Sequence, residues 1–361
     1  MIPFIEPRVK IASLSQLQNY QKIAKKLGYA GMVVLNQESK SFDESLQNDN
    51  YHLTRGEYQG KNIPALRTFL AKKRNDYHLI SVKTSNEKVA QWAVKDNRVD
   101  IISIPFPAMK QIVTPSFANV AATNHTFIEI SLKSLLTEQF HLSYFLRVIS
   151  SIFHLLFQQK ACLLLSLNIK NQYDFRDPRT FKAIADQLGY SWSNLKLSQK
   201  LFLERLSINK AKLSENFIAP GIWKKDKEKE LALLKNFKIP DNITPELPFN
   251  LQAISSSDKK LERQRYLSFE IISEQKLNIT KKELQNIIWE QLQKLYGSIG
   301  CSQVGLYLLA YDTETSYGIL RCSHHAVRAL RISLATIASI NQMRVIVHIN
   351  KVSGTINKLN S

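Results

Sequence analysis

Short apolar runs alternate with amphipathic segments along the first two-thirds of the chain. The runs that we predict as strands are Ile2–Ile5, Met32–Leu35, Leu79–Lys83, Asp100–Ile104, Phe127–Ile130, Cys162–Leu167 and Phe217–Ala219. Because strands that alternate with helices pack as a parallel sheet, this pattern predicts an α/β sheet or barrel. Residues 37–61 are polar and have no period, so we predict a long surface loop there.

Two helices of this region have ends that the sequence marks. The first carries an apolar stripe and is expected to end at Gly28, because glycine readily takes the left-handed exit conformation. The second begins at Asp177-Pro178, where aspartate caps free amides and proline suits the first helical position. We expect this second helix to end at Gly189.

The last hundred residues follow a different order. Polar and apolar residues alternate from Tyr266 to Ile272, and Thr280 with Glu283 forms a capping box for a helix that we expect to end at Gly297. A hairpin (304–311 and 317–322), a helix (325–339) and a strand (344–349) follow. This β-α-β-β-α-β order predicts a ferredoxin-like sandwich, the architecture of many RNA-binding modules.

Prolines and serines without a period separate the two patterns and indicate a linker. The fold class is therefore α/β plus α+β. We predict a barrel domain over residues 1–222, a charged linker containing proline and serine over 223–262, and an RRM-like αβ sandwich over 263–361.

The charge of the chain points to a polyanionic partner. The 361 residues carry a net charge of +19, and the excess of lysine and arginine extends over both domains. Such charge attracts nucleic acids and releases their counterions. The three cysteines lie apart beside apolar runs, which is typical of buried thiols in a reducing compartment. We expect a cytoplasmic protein, since the longest apolar stretch is shorter than the roughly 20 residues of a membrane span.

One candidate RNA-binding set lies in the C-terminal domain. It consists of Arg321, His324, Arg328 and Arg331. The last three are spaced to line one helix face, and arginine can hold phosphate with two parallel donors. The alternative is an ordinary solvated face. The predicted sheet is mostly aliphatic, so we expect backbone contacts rather than base stacking, and another protein covering the sheet.

A second candidate set lies in the barrel domain. Its members are Arg176, Arg179, Lys182, Arg205, Lys210 and Lys212. Arg176 and Arg179 flank the capped helix start, where cations and free amides favour an anion. The alternative is that Arg179 or Arg205 pairs with a carboxylate such as Asp177 or Glu204.

A protein active site finds little support in the sequence. Barrel metal hydrolases need histidines and carboxylates clustered at strand ends, and the histidines of this half are scattered. Phosphate-binding glycine loops and nucleophile elbows are also missing from the sequence. We therefore predict no catalytic residue and no metal ligand in this chain.

The C-terminal domain contains several distinctive segments: Arg265-Tyr266-Leu267, the glycine at 297, Ile319-Leu320-Arg321-Cys322 with His324, and above all Val352-Ser353-Gly354-Thr355-Ile356. Through these segments, residues 265–361 resemble the ribonuclease P protein component 2 family.

The barrel domain contains a second ordered set of segments: Phe4-Ile5-Glu6, Val99-Asp100-Ile101-Ile102, Glu129-Ile130-Ser131-Leu132, Arg176-Asp177-Pro178-Arg179 and Glu204-Arg205. Through them, residues 1 to about 221 resemble protein component 3 of the same particle, which in that family is a TIM-like barrel. The chain departs from that family at Ser166-Leu167-Asn168 and near Pro115-Ser116, so we expect some of the family's barrel-side RNA or partner contacts to be lost. The two components are normally separate chains, so a single chain is a further departure.

The resemblance implies a protein subunit of ribonuclease P, in which RNA with bound Mg²⁺ removes the 5′ leader of precursor tRNA. It implies that the protein itself binds no cofactor. The implied partners are the ribonuclease P RNA, precursor tRNA, other protein subunits and a second copy of the chain bound through the C-terminal domain. Two alternatives remain: a metal-dependent barrel hydrolase with an appended RNA-binding module, and a scaffold of another ribonucleoprotein.

Overall fold

The computed structural model describes residues 4–36, 53–137, 142–213, 217–219, 222–223 and 263–359. Strands and helices alternate in the N-terminal domain. In chain order they are β1 (Ile5–Val9), α1 (Leu14–Leu27), β2 (Gly31–Leu35), β3 (Leu53–Gln59), α2 (Ile63–Lys73), β4 (Leu79–Lys83), α3 (Glu87–Ala93), β5 (Ile101–Ser103), α4 (Phe106–Ile112), α5 (Pro115–Thr123), β6 (Phe127–Ser131), α6 (Ser134–Thr137), α7 (Leu142–Gln158), β7 (Leu163–Ser166), α8 (Pro178–Gln187) and α9 (Trp192–Lys212).

The first seven strands form one parallel sheet in sequence order, from β1 to β7. Beyond β7, Ile169 pairs in parallel with Val9, and the amide of Lys10 donates to the carbonyl oxygen of Ile169 at 2.8 Å. The sheet therefore curves into a near-closed barrel, as predicted. The prediction of Phe217–Ala219 as a further unit of this sheet was wrong. That segment is β8, which pairs with β9 (Ile222–Trp223) in a separate antiparallel sheet, since Ile169 already adjoins β1.

Two strand predictions in the barrel need correction. The first strand is described over Ile5–Val9, so it continues beyond the predicted Ile2–Ile5; residues 2 and 3 of that prediction lie outside the described part of the chain. The predicted loop over residues 37–61 contains β3, whereas residues 37–52 lie outside the described part of the chain. Arg55 and Glu57 of β3 are charged but buried, so they hide the period that marks a strand.

The two helix ends expected from sequence in the barrel domain are confirmed. Gly28 follows α1 with φ 86°, and Gly189 lies just beyond α8 with φ 85°. The side chain of Asp177 caps α8 by accepting a hydrogen bond from the amide of Arg179 at 2.8 Å. The three cysteines are buried, also as expected.

The C-terminal domain is an antiparallel sheet packed against two helices. Its elements are β10 (Gln264–Ser273), α10 (Lys281–Ser302), β11 (Tyr307–Asp312), β12 (Tyr317–Ser323), α11 (Val327–Thr336), β13 (Ser339–Ile340) and β14 (Met343–Ser353). The strand order is β11-β12-β10-β14-β13, so the four expected strands have the ferredoxin-like arrangement and β13 is an addition.

Both predicted helices of this domain have different bounds. Gly297 has φ 66° and kinks α10, which continues to Ser302 instead of ending there. The second helix ends at Thr336, because residues 339 and 340 pair with β14 as β13. The predicted linker lies outside the described residues apart from position 223.

The two domains share a packed contact. Ile332 of α11 and Ile346 of β14 belong to the same apolar cluster as the barrel core, and Ile272 packs against it. Lys26 of α1 adds an ion pair with Glu270 of β10 at 2.9 Å. Among the described residues, no helix is both long and apolar enough to cross a membrane.

Candidate functional site

The negative charge at the start of α8 is a side chain of the protein, the carboxylate of Asp177. The carboxylate of Asp177 caps the helix and lies 2.7 Å from Nη2 of Arg179. Its Oδ2 also lies 3.3 Å from Nη1 of Arg331. The predicted anion-binding position is therefore filled by this buried carboxylate, and the alternative that Arg179 pairs with Asp177 is confirmed.

Arg176 connects the two domains instead of facing solvent. Its side chain is buried, and its Nε donates to the carbonyl oxygen of Ala335 while Nη2 donates to that of Ile337 at 3.4 Å. Nη1 donates to the carbonyl oxygens of Tyr173 and Phe175. Burial lowers the pKa of Arg176 to about 10. With these bonds made inside the chain, this guanidinium is not presented to RNA.

The candidate residues of the C-terminal domain also differ in exposure: one arginine is largely buried and another faces solvent. Arg331 is 11% exposed, and burial lowers its pKa despite the neighbouring Asp177. Arg328 is 55% exposed and makes only a loose ion pair with Asp186, at 3.8 Å. His324 lies in a short 3₁₀ turn before α11, with its ring centroid 3.5 Å from that of His325. Arg328 is therefore the member of the stripe best placed to meet phosphate.

These groups line a cleft between the domains, which we call the interdomain cleft. Its volume is about 930 Å³, and its walls are α8, the first half of α9 and the start of α11. The side chains that matter most for its charge and shape are Arg179, Lys182, Lys196, Arg328, Arg331 and Trp192. Lys182 Nζ lies 4.9 Å from the centroid of the Trp192 ring, within the range of a cation–π contact. The cleft thus brings candidate residues of both sequence-predicted sets together.

Arg321 lies elsewhere. Alternation along β12 directs Leu320 and Cys322 into the core beneath α11, so Arg321 points to the opposite face of the sheet. There its guanidinium stacks over the Tyr307 ring at 5.4 Å. Part of this face contacts the barrel of the same chain, where Arg179 Nη2 donates to the carbonyl oxygen of Ile349 at 2.8 Å. The prediction that another protein covers the sheet is therefore wrong for this part of it, which the barrel of the same chain covers.

The remaining candidates lie on the second half of α9, at the amino ends of the barrel strands. Arg205 lies 3.4 Å from Asp100, just before β5, and donates to the carbonyl oxygen of His125 at 3.1 Å. The alternative of a carboxylate partner is right in kind, but the partner is not Glu204. Burial and the nearby cations Arg74 and Arg205 lower the pKa of Lys212. Arg205, Lys210 and Lys212 therefore form a second basic area, separate from the interdomain cleft.

The barrel interior contains an ionic network that sequence reasoning missed. Arg55 Nη2 lies 2.7 Å from Glu129 Oε2, and Arg8 Nη2 lies 2.6 Å from Glu57 Oε2. Burial alone would raise the pKa of Glu129, yet Arg55 and Arg8 hold it at about 2. Burial raises the pKa of Glu6 well above its ordinary value. The available signal was Glu129 within one predicted strand and Glu6 directly after another, because both are charged residues beside apolar runs. Arg55 gave none, since it lies in the predicted loop.

Glu57 and Glu129 therefore have arginine partners from the chain itself, whereas Glu6 accepts a hydrogen bond from the amide of Leu167. Among the described residues, no group of three or more histidine, cysteine, aspartate or glutamate side chains is arranged to hold a metal ion. The ligand cluster that a metal-dependent barrel hydrolase needs is thus missing from the described part of the chain.

Comparison with known proteins matches both domains. The family model described as RNase P subunit p30 matches residues 3–198, and the Rpp14/Pop5 family model matches residues 265–361. The barrel resembles a chain of the cryo-EM structure of archaeal ribonuclease P with mature tRNA. The two share 19% identity and a TM-score of 0.52, and the alignment covers 62% of this chain and 99% of that one. This likeness supports the barrel fold.

Curated relatives match the C-terminal domain. Ribonuclease P protein component 2 of Pyrococcus abyssi is 36% identical over 98 residues, which are 27% of this chain and 81% of the relative. The protein of the same name from Methanosarcina barkeri is 35% identical over 96 residues, covering 27% of this chain and 68% of the relative. The chain therefore belongs to the RNase P subunit p30 family through its barrel and to the Rpp14/Pop5 family through its C-terminal domain.

Proposed function

We propose that this chain is a ribonuclease P protein subunit that binds and stabilises the catalytic RNA for removal of the 5′ leader from precursor tRNA. The observation that carries the proposal is the interdomain cleft, since both family-matched domains contribute cations to it. Lys182 and Arg328 are exposed at its rim, and Lys196 adds a third exposed cation from α9.

The proposed mechanism is electrostatic. Lysine and arginine neutralise crowded phosphates, so RNA helices pack more closely and the RNA retains its Mg²⁺ at a lower free concentration. The RNA supplies the metal and the chemistry, and this chain contributes no bond-breaking group. The buried arginines serve a different purpose, because they fix the two basic domains in one orientation.

Because both domains are in one chain, they contact each other within the molecule and need no association of separate subunits. Two separate subunits must meet in solution, whereas tethered domains meet at an effective concentration on the order of millimolar. The buried contacts of Arg176 and Arg331 suit a permanent interface of this kind.

We propose further that two chains pair through their C-terminal domains. The support is the distribution of exposed large apolar side chains in the described residues. Those of the C-terminal domain are Ile299, Tyr307, Tyr317 and Ile356, whereas the barrel domain exposes Leu14 and Tyr144. Apolar groups gathered on one domain favour a protein partner there.

The experiment that tests the proposed function is identification of the RNA that co-purifies with the intact chain. Ribonuclease P RNA is the expected result, together with a gain of precursor tRNA cleavage when the chain is added to that RNA at low Mg²⁺. Cleavage of precursor tRNA by the protein freed of nucleic acid would overturn the proposal in favour of a hydrolase. Co-purification of an unrelated RNA alone would instead favour a scaffold of another particle.

A further inference from the structure

A buried amide in the interdomain cleft has no hydrogen-bond partner among the described residues. Gln199 of α9 is 2% exposed, and neither its Nε2 nor its Oε1 makes a hydrogen bond with any residue that the structure describes. Nearly all buried polar groups of folded proteins have a partner, because leaving them unpaired destabilises the fold. Gln199 also lines the cleft. A ligand that enters the cleft and bonds the amide explains why a glutamine lies there.

The groups around Gln199 define the chemistry of such a ligand. Trp192, Lys196 and Gln199 are spaced i, i+4 and i+7, so they share one face of α9. The facing wall, from α11, presents Arg328. An indole offers a stacking surface, the cations attract phosphate, and the amide offers a donor beside an acceptor. A nucleotide combines the three complementary features.

We propose that the interdomain cleft binds one unpaired nucleotide, with the edge of the base hydrogen-bonded to Gln199 and the phosphate held by Lys196 and Arg328. This inference rests on the proposed function where the nucleotide is part of RNA, and a free nucleotide is the second source of the same chemistry. A volume of about 930 Å³ is sufficient, since pockets for ligands of this size measure roughly 300–1,000 Å³.

The amide gives the site a property that the surrounding cations lack. Phosphate contacts hold RNA without regard to sequence, whereas paired donors and acceptors at a base edge distinguish one base from another. A base inside a duplex has its Watson–Crick edge occupied, so only an unpaired nucleotide reaches Gln199 with a free edge. The site therefore discriminates among single-stranded sequences and contributes little to duplex binding.

The test compares binding of labelled RNA hexamers of each single base, and of a short RNA duplex, by fluorescence anisotropy with the full chain. Gln199→Met keeps the volume of the side chain but removes the amide. We expect it to weaken binding of the preferred hexamer about tenfold and to level the differences among bases, while the duplex affinity stays unchanged. Nucleoside monophosphates competing as strongly as the hexamer identify a free nucleotide as the source, and weak competition identifies RNA.

Two cation variants separate the amide from general electrostatics. Lys196→Met is expected to weaken binding of all hexamers by the same factor and to reduce the slope of log affinity against log salt by about one. Lys200→Met, on another face of α9 and 66% exposed, is the matched control and is expected to keep the base preference. Unchanged base preference in Gln199→Met overturns the inference, and so does an equal loss for hexamers and duplex.

Thermal unfolding supplies the second readout. Because Gln199 lacks a partner in the described chain, Gln199→Met should unfold at the same temperature as the parent or higher. A clear decrease in the midpoint would assign Gln199 a structural hydrogen bond and overturn the inference. The proposed function is judged separately, by whether the parent chain binds ribonuclease P RNA at all.

Discussion

Arg331 and Asp177 form an ion pair across the two domains, with Nη1 3.3 Å from Oδ2 and a separation of 154 positions in the chain. The same carboxylate caps α8 and pairs with Arg179. Nδ1 of His348, on β14, lies 4.0 Å from it. One buried carboxylate thus connects a barrel helix with a helix and a strand of the C-terminal domain.

Replacement of this carboxylate should loosen the domain contact. Asp177→Asn keeps a side chain that caps helices well, so the main effect is loss of the negative charge. Arg331 is then left buried beside Arg179 without its carboxylate partner, and breaking a buried ion pair costs about 3 kcal/mol or more. We expect a lower urea midpoint for the full chain and faster amide exchange in α11.

The matched control for this variant is an ion pair on the surface. Lys276 and Glu314 pair with both side chains more than half exposed, at 57% and 76%. Glu314→Gln should leave the urea midpoint unchanged, because exposed pairs contribute little to stability. If Asp177→Asn and Glu314→Gln have the same urea midpoint, Asp177 does not hold the domains together.

The parallel strands could be predicted where both faces are apolar. Strands β2, β4 and β6 are covered on both sides. A continuous apolar run marks β2 in the sequence, and the apolar residues on either side of Ser81 and Glu129 still mark β4 and β6. The third strand could not be predicted, because Arg55 and Glu57 point into the barrel and are neutralised by residues from other strands. Only the folded structure brings these compensating charges together.

The sequence could predict which residue types form the candidate site, but not which of the arginines are exposed and which are buried in ion pairs. The spacing of Arg328 and Arg331 correctly places them near one another on a helix. Which of the two is exposed depends on Asp177 and Asp186, which are remote in sequence. Gln199 gave no signal at all, because a glutamine within a helix is ordinary until its amide is found buried without a partner.

Removal of exposed charge from the cleft should raise the Mg²⁺ requirement of the reconstituted particle. Arg328→Gln and Lys182→Gln together remove two cations that face solvent, so less phosphate repulsion is neutralised and more Mg²⁺ is needed. Titration of precursor tRNA cleavage against Mg²⁺ measures the change. The thermal unfolding midpoint of the double variant should equal that of the parent. Full activity of this double variant at low Mg²⁺ would argue against the cleft as an RNA contact.

Arg331→Gln should behave differently from that double variant. Because Arg331 is largely buried beside Asp177, its replacement lowers stability as well as activity. A normal urea midpoint for Arg331→Gln would show that the interdomain pair contributes little.

Salt should weaken RNA binding steeply. Besides Arg205 and Arg331, whose side chains are only 17% and 11% exposed beside buried carboxylates, six candidate cations retain solvent exposure: Arg179, Lys182, Lys210, Lys212, Arg321 and Arg328. If each contacts one phosphate, log affinity falls against log salt with a slope of roughly −4 to −5. Filter binding of ribonuclease P RNA between low and moderate salt measures the slope. A slope near −1 would mean that most of these cations do not touch phosphate.

Pairing of two chains should depend on the apolar surface of the C-terminal domain. Ile299 is 80% exposed beside the kink of α10, and a glutamate there adds charge to a surface proposed to be buried. We expect Ile299→Glu to shift the chain from dimer to monomer in light scattering after size-exclusion chromatography. Leu14→Glu, at a residue 58% exposed on the barrel domain, is the control and should stay dimeric. A monomeric parent chain would contradict the pairing itself.

The protonation of Glu6 should make stability depend on pH. Burial raises the pKa of this carboxyl well above its ordinary value of 4.5, although the amide of Leu167 donates to Oε1 at 3.0 Å. The folded state therefore binds a proton that the unfolded state releases above about pH 4.5, so this group's contribution is fully present below that pH. It declines as pH rises, by up to about 1.4 kcal/mol per unit, until the folded-state pKa is passed.

Glu6→Gln removes this proton release and keeps an acceptor for Leu167. We expect the unfolding free energy of the variant, relative to the parent, to increase steadily with pH above 4.5.

Glu129→Gln is the control with the opposite pH dependence. Arg55 and Arg8 hold the pKa of Glu129 at about 2 against the effect of burial. The stability that this carboxylate contributes is therefore present above pH 4.5 and lost as pH falls towards 2. That variant should therefore be destabilised at neutral pH and approach the parent in acid. Urea unfolding at several pH values measures both trends, and parallel pH profiles for Glu6→Gln and the parent would contradict a protonated Glu6.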